Sequence, residues 1–103
     1  MTRAPVSPDD ALLTDRVAVV TGAAQGIGRA TALVLARFGA HLALCDRKAE
    51  GLASTAAEVE RLGRQVVAAE IDVRDPEGVT TFLEQVEAQY GHVDVLVNNA
   101  GGG

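Results

Sequence analysis

The stretch VVTGAAQGIGRA, Val19–Ala30, sets three glycines between a β-branched run and a helical rhythm. On its left, RVAVVT (16–21) is short and apolar enough for a strand buried on both faces. On its right, IGRATALVLARFG (27–39) carries Ile27, Ala30, Leu33, Val34 and Phe38 at helical spacing. A glycine loop at such a junction has a physical use. The first turn of a helix presents unpaired N–H groups and the positive end of the helix dipole, so it attracts anions. With no Cβ in the way, a phosphate can come against the backbone. Gly22 suits the sharp exit from the strand, Gly26 the close approach of a diphosphate, and Gly28 a tight contact between helix and strand. The spacing is G-x-x-x-G-x-G, not the G-x-G-x-x-G of the general dinucleotide fingerprint. Nor is this a Walker loop: no G-K-[ST] follows, and the sole lysine, Lys48, lies far downstream. A plain turn with helix packing would use the same glycines, so the loop alone leaves both readings open.

Outward from the loop the chain keeps alternating two periods. HLALCD (41–46), RQVVAAEIDV (64–73) and VDVLVNNAG (93–101) read as further strands. KAEGLASTAAEVERLG (48–63) repeats the helical spacing with Leu52, Ala56, Val59 and Leu62. PEGVTTFLEQVEAQYG (76–91) does so with Val79, Phe82, Leu83, Val86 and Tyr90. Gly39, Gly63 and Gly91 fall just past the helices, where a left-handed residue ends the turn. Asp75-Pro76-Glu77 has the order of an N-cap, a first-turn proline and a first-turn acid. Strands separated by helices run parallel, because only a crossover returns the chain to the same edge. The pattern predicts an α/β fold with a doubly wound parallel sheet of four strands and three helices. Right-handed crossovers give the order 3-2-1-4, with the first two helices on one face and the third on the other. The fourth strand is then an open edge whose apolar character suits a central position, so association through that edge or marginal stability is expected.

Composition bounds the function. The chain has 103 residues, enough for one small domain with its own core. Hydrophobic residues make up 48% and aromatics only 3%, and abundant alanine suggests small helices packed tightly on something flat. A net charge of −5 with scattered arginines argues against nucleic acid, whose phosphates need clustered Lys and Arg. Cys45 is the only cysteine, so an internal disulfide or thiolate cluster is excluded, and it reads as a small buried apolar side chain. No segment looks like a membrane span or a signal peptide, and the expected location is cytoplasmic, with no membrane partner. Residues 1–11, with two of the three prolines, read as a mobile tail. Residues 12–103 read as the N-terminal part of a nucleotide-binding domain, truncated after the fourth strand.

Asp46 stands 18 residues past Gly28, at the end of the second strand. An acid there can hydrogen-bond the ribose hydroxyls of an adenine dinucleotide, or it can cap the helix beginning near Lys48. TGAAQGIG (21–28), Asp72-Val73 and NNAG (98–101), in this order and on these elements, resemble the cofactor motifs of the short-chain dehydrogenases/reductases. The resemblance runs from about Leu13 to the end and implies a Rossmann-like fold. It implies that Gly22, Gln25, Gly26, Ile27 and Gly28 form the diphosphate loop and Asp46 the ribose acid. It further implies that Asp72 holds the adenine amino group with Val73 beside it, and that Asn98, Ala100 and Gly101 tie the central strand to the cofactor. A carboxylate at Asp46 would repel the 2′-phosphate of NADP, and Gln25 is not a basic clamp, so NAD is the expected cofactor. Arg47 pulls toward NADP, since a guanidinium can pair with phosphate.

In that family a serine and a Tyr-x-x-x-Lys pair beyond the NNAG strand handle the proton. Here the only tyrosine, Tyr90, is followed four residues later by Asp94. Tyr90 belongs to the apolar stripe of the third helix, and His41, His92, Ser7 and Ser54 have no ligand-spaced or basic partner. The expectation is the cofactor-binding half of an NAD(P)-dependent oxidoreductase of ketones and secondary alcohols, without turnover by itself. A small-molecule substrate would then enter only in a full-length form. The alternative is a nucleotide-binding or interaction module without catalysis, or one completed by a second chain.

Overall fold

A computed structural model describes residues 13–99. The segment 1–11 and the predicted site residues Ala100 and Gly101 lie outside the described residues. The elements are β1 (Val17–Thr21), α1 (Gly26–Arg37), β2 (His41–Asp46), α2 (Ala49–Arg61), β3 (Val66–Glu70), α3 (Pro76–Tyr90) and β4 (Val95–Asn98). All strand pairings are parallel and the order is β3-β2-β1-β4, as crossover handedness predicts.

Alternation along β1 and β2 buries both faces of the sheet. Ala18, Val20, Leu42 and Leu44 point toward α1 and α2, where they meet Ala32, Ala36, Leu52 and Val59. Val17, Val19, Ala43 and Cys45 point the other way, into a second cluster closed by Phe82 and Val86 of α3. The two inner strands are therefore buried along nearly their whole length, as parallel strands between helices should be.

The helix faces correct one sequence expectation. In α1 the buried residues are Gly28, Ala32 and Ala36, while Ile27 is 75% and Val34 47% exposed. The helix lies so close to the sheet that only small residues fit beneath it. The larger apolar side chains turn outward or to the margin, where Leu33 packs at the edge of the core. In α2 the hydroxyl of Thr55 is buried between Leu52 and Val59, and Leu62 is exposed at the end of the helix. In α3 Phe82 and Val86 are buried and Leu83 faces out.

The turn signals behave as their chemistry requires. Gly39, Gly63 and Gly91 all take positive φ at the helix ends. Asp75 accepts the Glu77 N–H at 3.1 Å, and Pro76 opens α3. The third strand is shorter than the run 64–73, because β2 ends at Asp46 and leaves no ladder beyond Glu70. Only the Ile71 N–H still reaches back, to the Asp46 carbonyl at 3.0 Å. Likewise Val93 and Asp94 precede β4, and the Asp94 carboxylate caps the Val17 N–H at 2.8 Å.

The register aligns the carboxyl ends of the strands. Thr21 lies between Cys45 and Asn98, and Asp46 lies beside Glu70. Every loop that leaves this end therefore starts from one row, at the point where the connections diverge to opposite faces. In open α/β sheets that is where ligands bind.

Candidate nucleotide site at the carboxyl end of the sheet

The glycine loop leaves β1 at Gly22, whose φ of 67° a side chain would strain. A Cβ on Gly28 would lie 1.9 Å from the Gly22 carbonyl oxygen, so α1 can start this close to the strand only with glycine there. Gly26 also has positive φ, at 58°, but nothing stands within 4 Å of where its Cβ would be. Its neighbourhood is open space in front of the first turn of α1. Gln25, at the N-cap position, makes no side-chain cap and the first turn holds no acid. Among the described residues, the first turn of α1 thus has no side-chain cap, and Gln25, Gly26 and Ile27 are all exposed around it. This arrangement fits an anion.

The other half of the loop is pinned. The Ala23 N–H donates to the Cys45 carbonyl at 3.2 Å, and the Ala24 N–H donates to Oδ2 of Asp46 at 2.9 Å. The second carboxylate oxygen of Asp46, Oδ1, accepts the Lys48 N–H at 2.9 Å. The N-cap of α2 is Lys48, so Asp46 stands before the helix and braces the loop instead of capping. Each carboxylate oxygen carries two lone pairs, leaving capacity for further donors from solvent or ligand.

Asp72 sits beyond β3 on the same end. Arg74 grips it through Nη2 at 2.8 Å and Nε at 3.1 Å, and Nη1 of Arg47 approaches at 3.8 Å. Hydrogen bonds from Arg74, with its charge and that of Arg47, hold the Asp72 carboxyl down at about 2. It is a fixed anion near neutral pH. Val73 packs its side chain against the cluster closed by α3.

At the other flank, β4 is stitched to β1. Thr21 Oγ1 donates to Asn98 Oδ1 at 3.0 Å and accepts the Asn99 N–H at 2.9 Å. Asn99 Nδ2 reaches the Gly22 carbonyl at 3.4 Å. The structure thus brings Gly22, Gln25, Gly26, Ile27, Gly28, Asp46, Asp72 and Asn98 to one end of the sheet. Thr21, Ala24 and Asn99 join them although the sequence reading did not name them as site residues. A threonine closing a strand beside a glycine, and a second asparagine after Asn98, were the available signals.

Neither Tyr90 nor Cys45 offers a reactive group to this site. Tyr90 donates its hydroxyl to the Leu42 carbonyl at 2.8 Å, near the start of β2 and thus at the opposite end of the sheet. Burial pushes that hydroxyl up to about 12. Burial, aided by the Asp46 charge, pushes the Cys45 thiol up to about 11, so it stays protonated and unreactive.

Comparison with known proteins gives the chain a family. Residues 16–103 match the short chain dehydrogenase family. The short-chain dehydrogenase/reductase FrzI of Cladobotryum sp is 39% identical over 97 residues, covering 93% of this chain and 37% of that protein. L-Sorbose reductase from Gluconobacter frateurii, solved with NADPH and L-sorbose, superposes with a TM-score of 0.85 at 41% identity. That superposition covers 91% of this chain and 36% of the reductase. Carveol dehydrogenase from Mycobacterium avium, solved with NAD, gives 0.83 at 36% identity, covering 86% of this chain and 36% of that one. The chain therefore spans little more than a third of the length of these proteins.

Proposed function

The chain belongs to the short-chain dehydrogenase family, and on that premise we propose that it grips the adenosine-diphosphate part of NAD for an oxidoreductase acting on ketones or secondary alcohols. One observation carries the proposal: the Asp46 carboxylate is fixed by the Ala24 and Lys48 N–H groups beside an uncapped helix start opened by Gly26. An anion acceptor for ribose hydroxyls thus lies next to a donor array for a diphosphate. The relatives solved with NADPH and with NAD support a nicotinamide dinucleotide at this place.

In this reading Gly22, Gln25, Gly26, Ile27 and Gly28 carry the diphosphate, with α1 supplying N–H donors and dipole. Asp46 accepts the ribose hydroxyls, and Asp72 accepts the adenine amino group with Val73 alongside. Asn98, with Ala100 and Gly101 after it, connects the central strand to the cofactor. A nicotinamide ring held here supplies hydride transfer. NAD is favoured over NADP because the Asp46 carboxylate would face the 2′-phosphate of the latter. Arg47 gives that phosphate little help, since its guanidinium leans on Asp72. Tyr90 has no part in the proton transfer in this reading, because it is bonded at the far end of the sheet.

Fluorescence titration of the protein with NADH and NADPH tests the proposal. NADH should bind more tightly, by at least tenfold, corresponding to about 1.4 kcal/mol. NADPH binding as tightly as NADH, or better, would refute the role given to Asp46.

A further inference from the structure

Thr55 is the one buried polar or charged side chain among the described residues, and it is wholly enclosed. Its Oγ1 lies 2.8 Å from the carbonyl oxygen of Ala23, in the glycine loop 32 residues earlier. The same hydroxyl lies 3.1 Å from the Gly51 carbonyl, one helical turn back. A hydroxyl has one proton, and the shorter approach to Ala23 is the better bond. Nη1 of Arg29, in the first turns of α1, donates to Thr55 Oγ1 at 3.0 Å and to Ser54 Oγ at 3.2 Å. A guanidinium donating into the oxygen polarises the O–H and strengthens its bond onward.

Thr55 thus joins the loop, the helix that follows it and the neighbouring helix at one atom. Alongside, Gly51 lets α2 press against the loop: a Cβ there would stand 2.6 Å from the Ala24 carbonyl oxygen. Both polar groups of the Ala23 peptide unit are then taken, its N–H by Cys45 and its carbonyl by Thr55. The exposed half of the loop, Gln25 to Ile27, hangs from that fixed point. The orientation of its donors follows from how Ala23 and Ala24 are held.

We propose that Thr55, polarised by Arg29, is a positioning residue of the nucleotide site: its bond to the Ala23 carbonyl sets the glycine loop in its anion-receiving geometry. The inference rests on the dinucleotide reading above. A loop held by that bond loses little order when a diphosphate arrives, and one without it must be ordered at the expense of affinity.

The test compares the protein with its Thr55→Ser and Thr55→Val variants by NADH titration, with thermal unfolding in parallel. Thr55→Val keeps the shape and removes the hydroxyl, and is expected to weaken NADH roughly tenfold, the size of one buried hydrogen bond. Thr55→Ser restores the hydroxyl and is expected to bind within about twofold of wild type. Rescue by serine is the readout that loss of packing would not give, since serine lacks the methyl group that valine retains. Should Thr55→Val fail to fold, Thr55→Ala carries the same expectation without demanding space for a second methyl. Equal NADH affinity for wild type and the folded hydroxyl-free variant overturns the inference while leaving the dinucleotide reading intact. So does a serine variant as weak as the valine one. Absence of NADH binding by the wild type overturns both.

Discussion

Gly28 and Gly26 stand two residues apart and answer to different forces. A Cβ at Gly28 would strike backbone, the Gly22 carbonyl oxygen at 1.9 Å, and backbone between a strand and a helix cannot move aside cheaply. Gly28→Ala is therefore expected to lower stability by about 1–3 kcal/mol or more, read as a fall in the urea midpoint. Gly26→Ala meets open space and loses only the cost of its positive φ, about 1–2 kcal/mol. A larger loss for Gly26→Ala than for Gly28→Ala would contradict this division. The packing role of Gly28 was legible in the sequence, because a strand followed by a glycine-opened helix poses the same steric problem wherever it occurs. The partners of Asp46 were not, since the choice between helix cap and loop brace depends on where α2 starts. Asp72 adds a pH dependence of known sign. Its folded carboxyl is depressed to about 2 from an ordinary 3.8, so the stabilisation from Arg74 and Arg47 is complete above about pH 4. It is lost as the pH falls from there through about 2. An acid titration of Asp72→Asn should lack that component; an unchanged profile would remove Asp72 from the account.

Among the elements, α1 shows what periodicity leaves undecided. The apolar stripe through Ile27, Ala30 and Val34 is helical in spacing, yet the buried face is Gly28, Ala32 and Ala36. A helix resting directly on a flat sheet selects for small side chains, and size outweighs hydrophobicity in choosing the face. The low aromatic content and the many alanines already pointed to such close packing. Val34→Ser, on the open side, should change stability by no more than about 0.5 kcal/mol. In α3 the opposite holds. Phe82 and Val86 are its only fully buried side chains, and among the described residues this helix alone closes the cluster on its face of the sheet. Phe82→Ala should cost about 3–5 kcal/mol, which in a domain of this size means a largely unfolded population by circular dichroism at 37 °C. A cooperative transition close to that of the unaltered chain would show that α3 is not the sole closure.

For the molecule as a whole, the strand order leaves β4 at the end of the sheet with Leu96 67% exposed. Among the described residues β4 pairs with β1 alone, and an apolar strand paired on one side only is a template for pairing. The 103-residue chain is expected to self-associate with rising concentration, and Leu96→Lys should shift sedimentation toward the monomer. A wild-type chain that stays monomeric at high concentration would show the edge to be protected. The sequence by itself determined the order of strands and helices, the parallel sheet and the place of the glycine loop. Those follow from local periodicity, turn chemistry and the handedness of crossovers, which act over a few residues or apply to every chain. Only the tertiary structure decided that Asp46 holds Ala24, that Thr55 and Arg29 reach the Ala23 carbonyl, and that Asn99 closes on Gly22. These contacts join residues 22 to 77 positions apart or link neighbouring helices, and their existence depends on register and helix rotation, which no local pattern encodes.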